Sequence, residues 1–98
     1  MTRKIAALLS CTKNPRNGGE HRHYRVSPKL RGHRYVIVST AVVPFSGPET
    51  YVFGADEGGK IVDWIELKGS FRGRLDHDEA LSRAGYSVFV PVIREGVR

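Results

Sequence analysis

The chain has 98 residues, 40% of them hydrophobic and 27% charged, with a formal net charge of +6. This length predicts one domain with a modest core, and the composition is that of a folded globular protein rather than a disordered one. No apolar run approaches the roughly eighteen residues of a transmembrane helix, and we expect no signal peptide. The single cysteine, Cys11, excludes an internal disulfide and suits a reducing cytoplasm.

The positive charge is concentrated in the N-terminal part. Through Ser39 the chain has nine Lys and Arg residues against one acid, Glu20, whereas from Thr40 onward seven basic residues face nine acids. This asymmetry indicates a polyanionic partner, most often nucleic acid, or an acidic protein surface. The alternative is a solvated basic segment that contributes only to solubility.

The first element is ambiguous. Ile5, Leu8 and Leu9 have the i, i+3, i+4 spacing of a short helix face, although the run is short enough to be an edge strand. We predict a helix within residues 2–12. An exposed loop follows at residues 13–19, where Asn-Pro and Asn-Gly-Gly break regular structure.

Residues 20–33, EHRHYRVSPKLRGH, complete a predicted basic N-terminal arm over residues 1–33. Pro28 and Gly32 argue against a long regular element here. Cations interleaved with tyrosines are typical of segments that neutralise phosphates and stack on bases. The candidate binding residues are Arg22, Tyr24, Arg25, Lys29, Arg31 and Arg34, with Tyr35 as a further stacking candidate.

The histidines suggest a metal site only weakly. His21 and His23 would lie on one side of an extended chain, and His33, His77 or Cys11 would have to complete the ligand set. This spacing matches no standard zinc pattern, so we predict no metal and no other cofactor.

Residues 34–66 hold most of the β-branched and aromatic side chains and predict a three-stranded antiparallel meander. Its strands are Tyr35 to Val43, Thr50 to Ala55 and Lys60 to Glu66, with Asp56-Glu57-Gly58-Gly59 as a tight turn. The connection PFSGPE is too long for a two-residue hairpin, and we expect Phe45 to pack back onto the domain. The predicted core residues are Trp64, Val36, Val38, Val52, Ile61 and Leu81.

Residues 67–75, LKGSFRGRL, predict a flexible basic loop. As a contact loop it would use Phe71 as its anchor, with Lys68, Arg72 and Arg74 meeting a charged partner. In the alternative interpretation Phe71 folds under the loop and seals the sheet.

A helix is predicted from Asp76 to Ala84. Asp76 and Glu79 have the spacing of a capping box, and Gly85 supplies the exit. Tyr86 to Ile93 then predicts a last strand, in which Pro91 favours an edge position.

These elements predict an α+β fold with two layers, an antiparallel or mixed sheet of about four strands with one helix packed on a face. The core would be β-β-β-α-β over residues 34–93, preceded by the basic arm, in a single domain. A right-handed crossover through the helix would set the last strand parallel to the third or the first strand of the meander.

The run ETYVFGADEGGKIVDWIELKGSFRGRLDHDEALSRAGY, residues 49–86, resembles small uncharacterised proteins carried by phages and prophages of proteobacteria. The resemblance implies no catalytic residue, substrate or cofactor. A phage source would make inhibition of a host defence complex, including anti-CRISPR action, an expected role.

The sequence therefore predicts a non-catalytic basic binding module of the bacterial cytoplasm, acting on nucleic acid or on a nucleic-acid-handling protein complex. The alternative is a nucleic-acid-binding protein proper that uses the basic arm. A metal-dependent enzyme built on the histidines is a third, weaker hypothesis. Ser39, Ser70 and Cys11 lack a recognisable base at a fixed spacing, and the chain has no glycine-rich phosphate loop.

Overall fold

The computed structural model describes residues 3–14 and 19–90. Its strands are β1 (Ile5–Asn14), β2 (Gly19–Leu30), β3 (His33–Val43), β4 (Gly47–Ala55), β5 (Ile61–Asp63), β6 (Phe71–Arg72) and β7 (Ser87–Phe89), and its helix is α1 (His77–Arg83). Within these residues, the seven strands form one sheet in the order β5-β4-β3-β2-β1-β7, with β6 also paired to β4. The predicted α+β fold with about four strands is therefore wrong, because the protein is a mostly β domain with one short helix.

The N-terminal segment is a strand, so the predicted helix at residues 2–12 is wrong. β1 pairs antiparallel with β2 along its whole length, with a bulge between Leu8 and Ser10. Ala6 is fully buried and Leu8 packs against the same core, as alternate residues of a strand do. Backbone pairing on both edges of β1 outweighs the helical spacing, since a helix this short is marginal without support.

The prediction of a basic N-terminal arm is also wrong, because residues 19–30 form an inner strand between β1 and β3. Tyr24 and Val26 are fully buried toward α1, while His23 and Arg25 alternate onto the opposite face. Arg25 occupies a position that faces away from the core, and Arg22, which shares the side of Tyr24, is ion-paired with Glu20. Pro28 falls where the pairing with β3 is irregular, between Arg25 and Leu30.

The meander is confirmed, since β3, β4 and β5 are consecutive antiparallel neighbours. The turn after β4 also forms as predicted. The Asp56 carboxylate accepts a hydrogen bond from the Lys60 N–H at 2.9 Å, and Gly59 has a φ of 91°.

The connection between β3 and β4 is tighter than predicted, and Phe45 does not pack back. Ser46 donates its N–H to the Val43 carbonyl at 3.1 Å. Phe45 has a φ of 69° and is fully exposed, because it lies at the hairpin tip beyond the last pair, Val43 and Gly47.

Trp64 is the main error in the predicted core. β5 ends at Asp63, and the Trp64 side chain is 69% exposed, resting against the Phe53 ring at 5.1 Å between centroids. The short edge strand places the indole on the sheet face that α1 does not cover. Of the other predicted core residues, Ile61 is half-buried, and Val36, Val38, Val52 and Leu81 are fully buried as expected.

The core lies between one face of the sheet and α1. As predicted, Asp76 caps the helix, and its Oδ1 accepts the Glu79 N–H at 3.0 Å. Ala80 and Leu81 are buried against the sheet. We call this side the helix-covered face and the other the helix-free face.

β7 pairs parallel with β1, from Ile5 opposite Ser87 to Ala7 opposite Phe89. β7 runs in the same direction as β3 and β5, as predicted, because successive neighbours from β5 to β1 are antiparallel and β7 is parallel to β1. Its neighbour in the sheet is β1 and not a strand of the meander. Pro91 and the rest of the predicted last strand lie outside the described residues.

Candidate functional site

Five predicted binding residues are exposed cations that form no ion pair within the part of the chain that the structure describes: Arg25, Lys29, Arg31, Arg34 and Lys68. The first four follow β2 from its middle, through the β2–β3 turn, to the start of β3. They form a positive end of the sheet. Lys68 lies elsewhere, in the loop between β5 and β6.

The other three predicted arginines are ion-paired. Arg22 Nε lies 2.6 Å from Glu20 Oε2, and Arg72 Nε lies 3.1 Å from Glu49 Oε2. Glu49 is only 3% exposed, so Arg72 neutralises a buried carboxylate. Arg74 pairs with carboxylates at the start of α1. These charges are therefore less available to a partner than those of the free cations.

Tyr24 and Phe71 are core residues. Tyr24 has no exposed surface, and Phe71 is 8% exposed with the Arg83 guanidinium 4.3 Å from its ring centroid. A ring buried in this way cannot stack on a base, so these two residues stabilise the fold. For Phe71 the structure matches the alternative in which the ring seals the sheet.

Three aromatic residues form a row on the helix-free face. Tyr51 and Phe53 alternate along β4 with their ring centroids 5.7 Å apart and the rings stacked. Trp64 extends the row at 5.1 Å from Phe53, with its indole tilted and largely exposed. We call Tyr51, Phe53 and Trp64 the aromatic row.

His23 fixes the turn between β4 and β5 above this face. Its ring is 6% exposed and lies 5.6 Å from the Tyr35 ring. Its Nε2 lies 3.0 Å from the Asp56 carbonyl oxygen and must carry the proton, because a carbonyl only accepts. Gly59 lies beside this imidazole with a φ of 91°, a conformation that favours glycine.

Between the β1–β2 hairpin and the β4–β5 turn there is a groove of about 470 Å³ on the helix-free face. Its size is within the range of small-molecule sites. Hydroxyl, imidazole, backbone, cationic and apolar groups line it: Ser10, Thr12, His21, His23, Ile37, Gly58, Gly59, Lys60, Ile61 and Trp64. The exposed end of the aromatic row is thus one wall of the groove.

The charges around this face favour an anionic partner. Arg25, opposite Tyr35 in the register, and Lys60 on the groove wall form no ion pair within the described residues. Asp63 is an opposing negative charge on β5: the Ile65 N–H and then His33 lower the pKa of its carboxyl, which favours the ionised form.

A polar cluster on the helix-covered face joins α1 to β2. His77 is 8% exposed and donates Nε2–H to the Glu20 carbonyl at 2.9 Å, and burial lowers its pKa, which favours the neutral ring. Cys11 is exposed, and slight desolvation and then the Glu20 charge raise the pKa of its thiol, which favours the protonated form at neutral pH. The cluster holds the helix in place.

Two further observations bear on the class of protein. Across residues 3–14 and 19–90, no three His, Cys, Asp or Glu side chains come together as metal ligands. Over the same ranges, no helix has the length and apolar character needed to cross a bilayer.

The comparisons with known proteins gave no relative. Neither a scan against protein-family models nor searches of curated proteins and of solved structures found a match.

Sequence reasoning missed the aromatic row and Lys60. A sign of the row was present in Thr50 to Ala55, where Tyr51 and Phe53 occupy alternate positions on the side opposite Val52. Placing Trp64 in the core hid the third member. No sequence pattern indicated Lys60, because its position beside the groove depends on the turn lying over His23.

Proposed function

We propose that this protein is a non-catalytic binding module that acts in the bacterial cytoplasm on nucleic acid, and that single strands bind across its helix-free face. The observation that carries the proposal is the aromatic row, exposed at Trp64 and flanked by the free cations Arg25 and Lys60. The resemblance of residues 49–86 to phage-borne proteins gives the biological setting we propose.

Base stacking favours single-stranded nucleic acid over a duplex as the ligand. Flat aromatic rings presented on an open sheet face accept unpaired bases, whereas the bases of a duplex are already stacked on one another. Trp64 offers the most accessible ring and Tyr51 a half-buried one. Phe53 between them is 8% exposed and holds the row together from below.

The positive charge of the protein supports binding to the anionic backbone of a nucleic acid. The chain has a formal net charge of +6, and the exposed cations at the β2–β3 end include Arg25, Lys29 and Arg31. Arg25 faces the same side of the sheet as the aromatic row. A strand whose bases stack on the row would therefore have basic side chains near its phosphates.

The experiment is a titration of labelled single-stranded DNA and RNA oligonucleotides and a matched duplex, followed by fluorescence anisotropy over a range of salt. We expect the single strands to bind more tightly than the duplex. Trp64→Ala should weaken single-strand binding by about 1 to 3 kcal/mol, the contribution of one stacked base. Arg25→Gln should lower the slope of log K against log salt by about 0.7 if Arg25 contacts a phosphate.

Arg74→Gln is the matched control. It also removes one exposed guanidinium, but this one is paired with carboxylates at the start of α1. We expect its salt slope to match that of the parent protein. Absence of oligonucleotide binding at low salt would refute the proposed function.

A second candidate function is inhibition of a nucleic-acid-handling protein complex, as an anti-CRISPR protein would do. The observation that favours it is Phe45, a fully exposed aromatic ring at the β3–β4 hairpin tip, beside Val42, which is 50% exposed. Exposed aromatic anchors are common in protein interfaces. Co-elution with purified CRISPR effector complexes, lost on Phe45→Asn and insensitive to Trp64→Ala, would favour this function over direct nucleic-acid binding.

A further inference from the structure

The groove on the helix-free face has a shape that does not depend on a ligand. His23 donates to the Asp56 carbonyl at 3.0 Å, and the Asp56 carboxylate accepts the Lys60 N–H at 2.9 Å. The β4–β5 turn is therefore tied both to β2 and to itself. Because this wall is already ordered, little conformational entropy is lost when a ligand binds.

The groove has flat apolar surface where a ring would lie. Trp64 forms one wall, and Ile37, which is 4% exposed, lies on the sheet beneath. Tryptophan combines a large flat surface with low conformational entropy, and a base of any identity has a face to stack on it. This pair of residues suits an aromatic ring of a ligand.

The polar groups of the groove are placed around that surface. Lys60 is exposed on the turn and forms no ion pair within the described residues. Ser10 and Thr12 contribute hydroxyls from β1. The Nδ1 atom of His21 is buried and has no hydrogen-bond partner among the described residues, whereas the His23 ring is held through its Nε2 atom.

We propose that this groove holds one nucleotide, with the base against Trp64 above Ile37 and the phosphate at Lys60. The proposal rests on the proposed function, because it makes the groove the place where a single strand inserts one of its bases. It goes further in requiring that a free nucleoside monophosphate binds there. A purely apolar ligand would leave Lys60, Ser10 and Thr12 without a role.

Trp64 makes the test direct, because it is the single tryptophan of the chain. Its fluorescence should change saturably when AMP or UMP is added, and less when adenosine or inorganic phosphate is added alone. Lys60→Gln should weaken AMP binding by roughly fivefold, the effect of losing an exposed ion pair, and leave adenosine binding unchanged. Lys68→Gln, a lysine outside the groove, should leave both unchanged.

A second variant fills the groove. Ser10→Tyr places a β-compatible ring on an exposed position of β1, so the fold should be retained and can be checked by circular dichroism. We expect it to abolish the response to AMP and to weaken oligonucleotide binding.

The outcomes separate the two proposals. Oligonucleotide binding without AMP binding, unaffected by Ser10→Tyr, would overturn the nucleotide groove and leave the proposed function standing. AMP binding that survives Ser10→Tyr would place the nucleotide elsewhere and also overturn the inference. AMP binding without oligonucleotide binding would overturn the proposed function and leave the groove as a site for free nucleotides. If the unmodified protein binds neither AMP nor oligonucleotides, both proposals are overturned.

Discussion

On the helix-covered face of the sheet, Tyr24, Val36 and Val52 have no exposed surface. Their strand neighbours Arg25 and Tyr51 belong to the helix-free face and remain accessible. The same strands thus supply a packed core on one side and a basic, aromatic surface on the other. The difference indicates that most of the hydrophobic core lies on the helix-covered face, while the helix-free face combines a few buried side chains such as Ile37 and Phe53 with accessible ones.

The largest expected effect tests this division directly. Leu81→Ala removes a fully buried side chain between α1 and the sheet and should lower the free energy of unfolding by about 3 kcal/mol. Trp64→Ala, although it removes a larger side chain, should cost only about 1 kcal/mol, mainly its contact with Phe53. Urea denaturation followed by circular dichroism measures both, and equal losses would mean that both faces are structural.

The helix cap comes next. Asp76→Ala should lower the free energy of unfolding by about 1 kcal/mol, because the Glu79 N–H loses its acceptor. Asp78→Ala is the control, since Asp78 lies in the same turn but does not cap it, and it should cost less. Binding of oligonucleotides should be unchanged in both. Lost binding with unchanged stability would assign Asp76 to a functional site instead.

A smaller effect of opposite sign is expected at the hairpin tip. Phe45 has a φ of 69°, a conformation that asparagine adopts more easily than a bulky residue. Phe45→Asn should therefore raise the free energy of unfolding by about 0.5 to 1 kcal/mol. Phe45→Ala keeps the strain and removes only an exposed ring, so its stability should match the parent, and an equal gain from both would argue against backbone strain.

The smallest effect concerns pH and the helix-covered face. Burial lowers the pKa of His77 below the 6.5 of an unfolded histidine, so the unfolded chain binds the proton more readily. The stabilisation is complete above pH 6.5 and is lost as pH falls through the lower folded pKa. Nearby Glu20 and Asp78 oppose the shift, which keeps the effect small. Denaturation at about pH 7.5 and about pH 5.5 should show a drop that His77→Gln reduces, and an unchanged drop would assign it to other groups.

Local sequence patterns were enough to predict the meander, the turn after β4 and the capped helix, because each of these depends on residues close together in the chain. β1 was mispredicted because its pairing with β2 and β7 is a tertiary effect that overrides helical spacing. Trp64 was wrongly predicted to be in the core, because the alternation of side chains shows which face of a strand a residue occupies but not the residue at which the strand ends. Of the candidate site, Arg25 was found from composition, but the groove depends on residues from β1, β2 and the β4–β5 turn meeting in space.

The pairing of β7 with β1 has a consequence for synthesis on the ribosome. β1, β2, β3 and β4 can pair as successive hairpins while the chain emerges, since each strand neighbours the next. The outer edge of β1, where Ile5 is 36% exposed, acquires its partner only after α1 and β7 have been made. Until then it is an open strand edge that another nascent chain can pair with. A chain that stops before α1 should therefore associate with its own copies even though most of its sheet has formed.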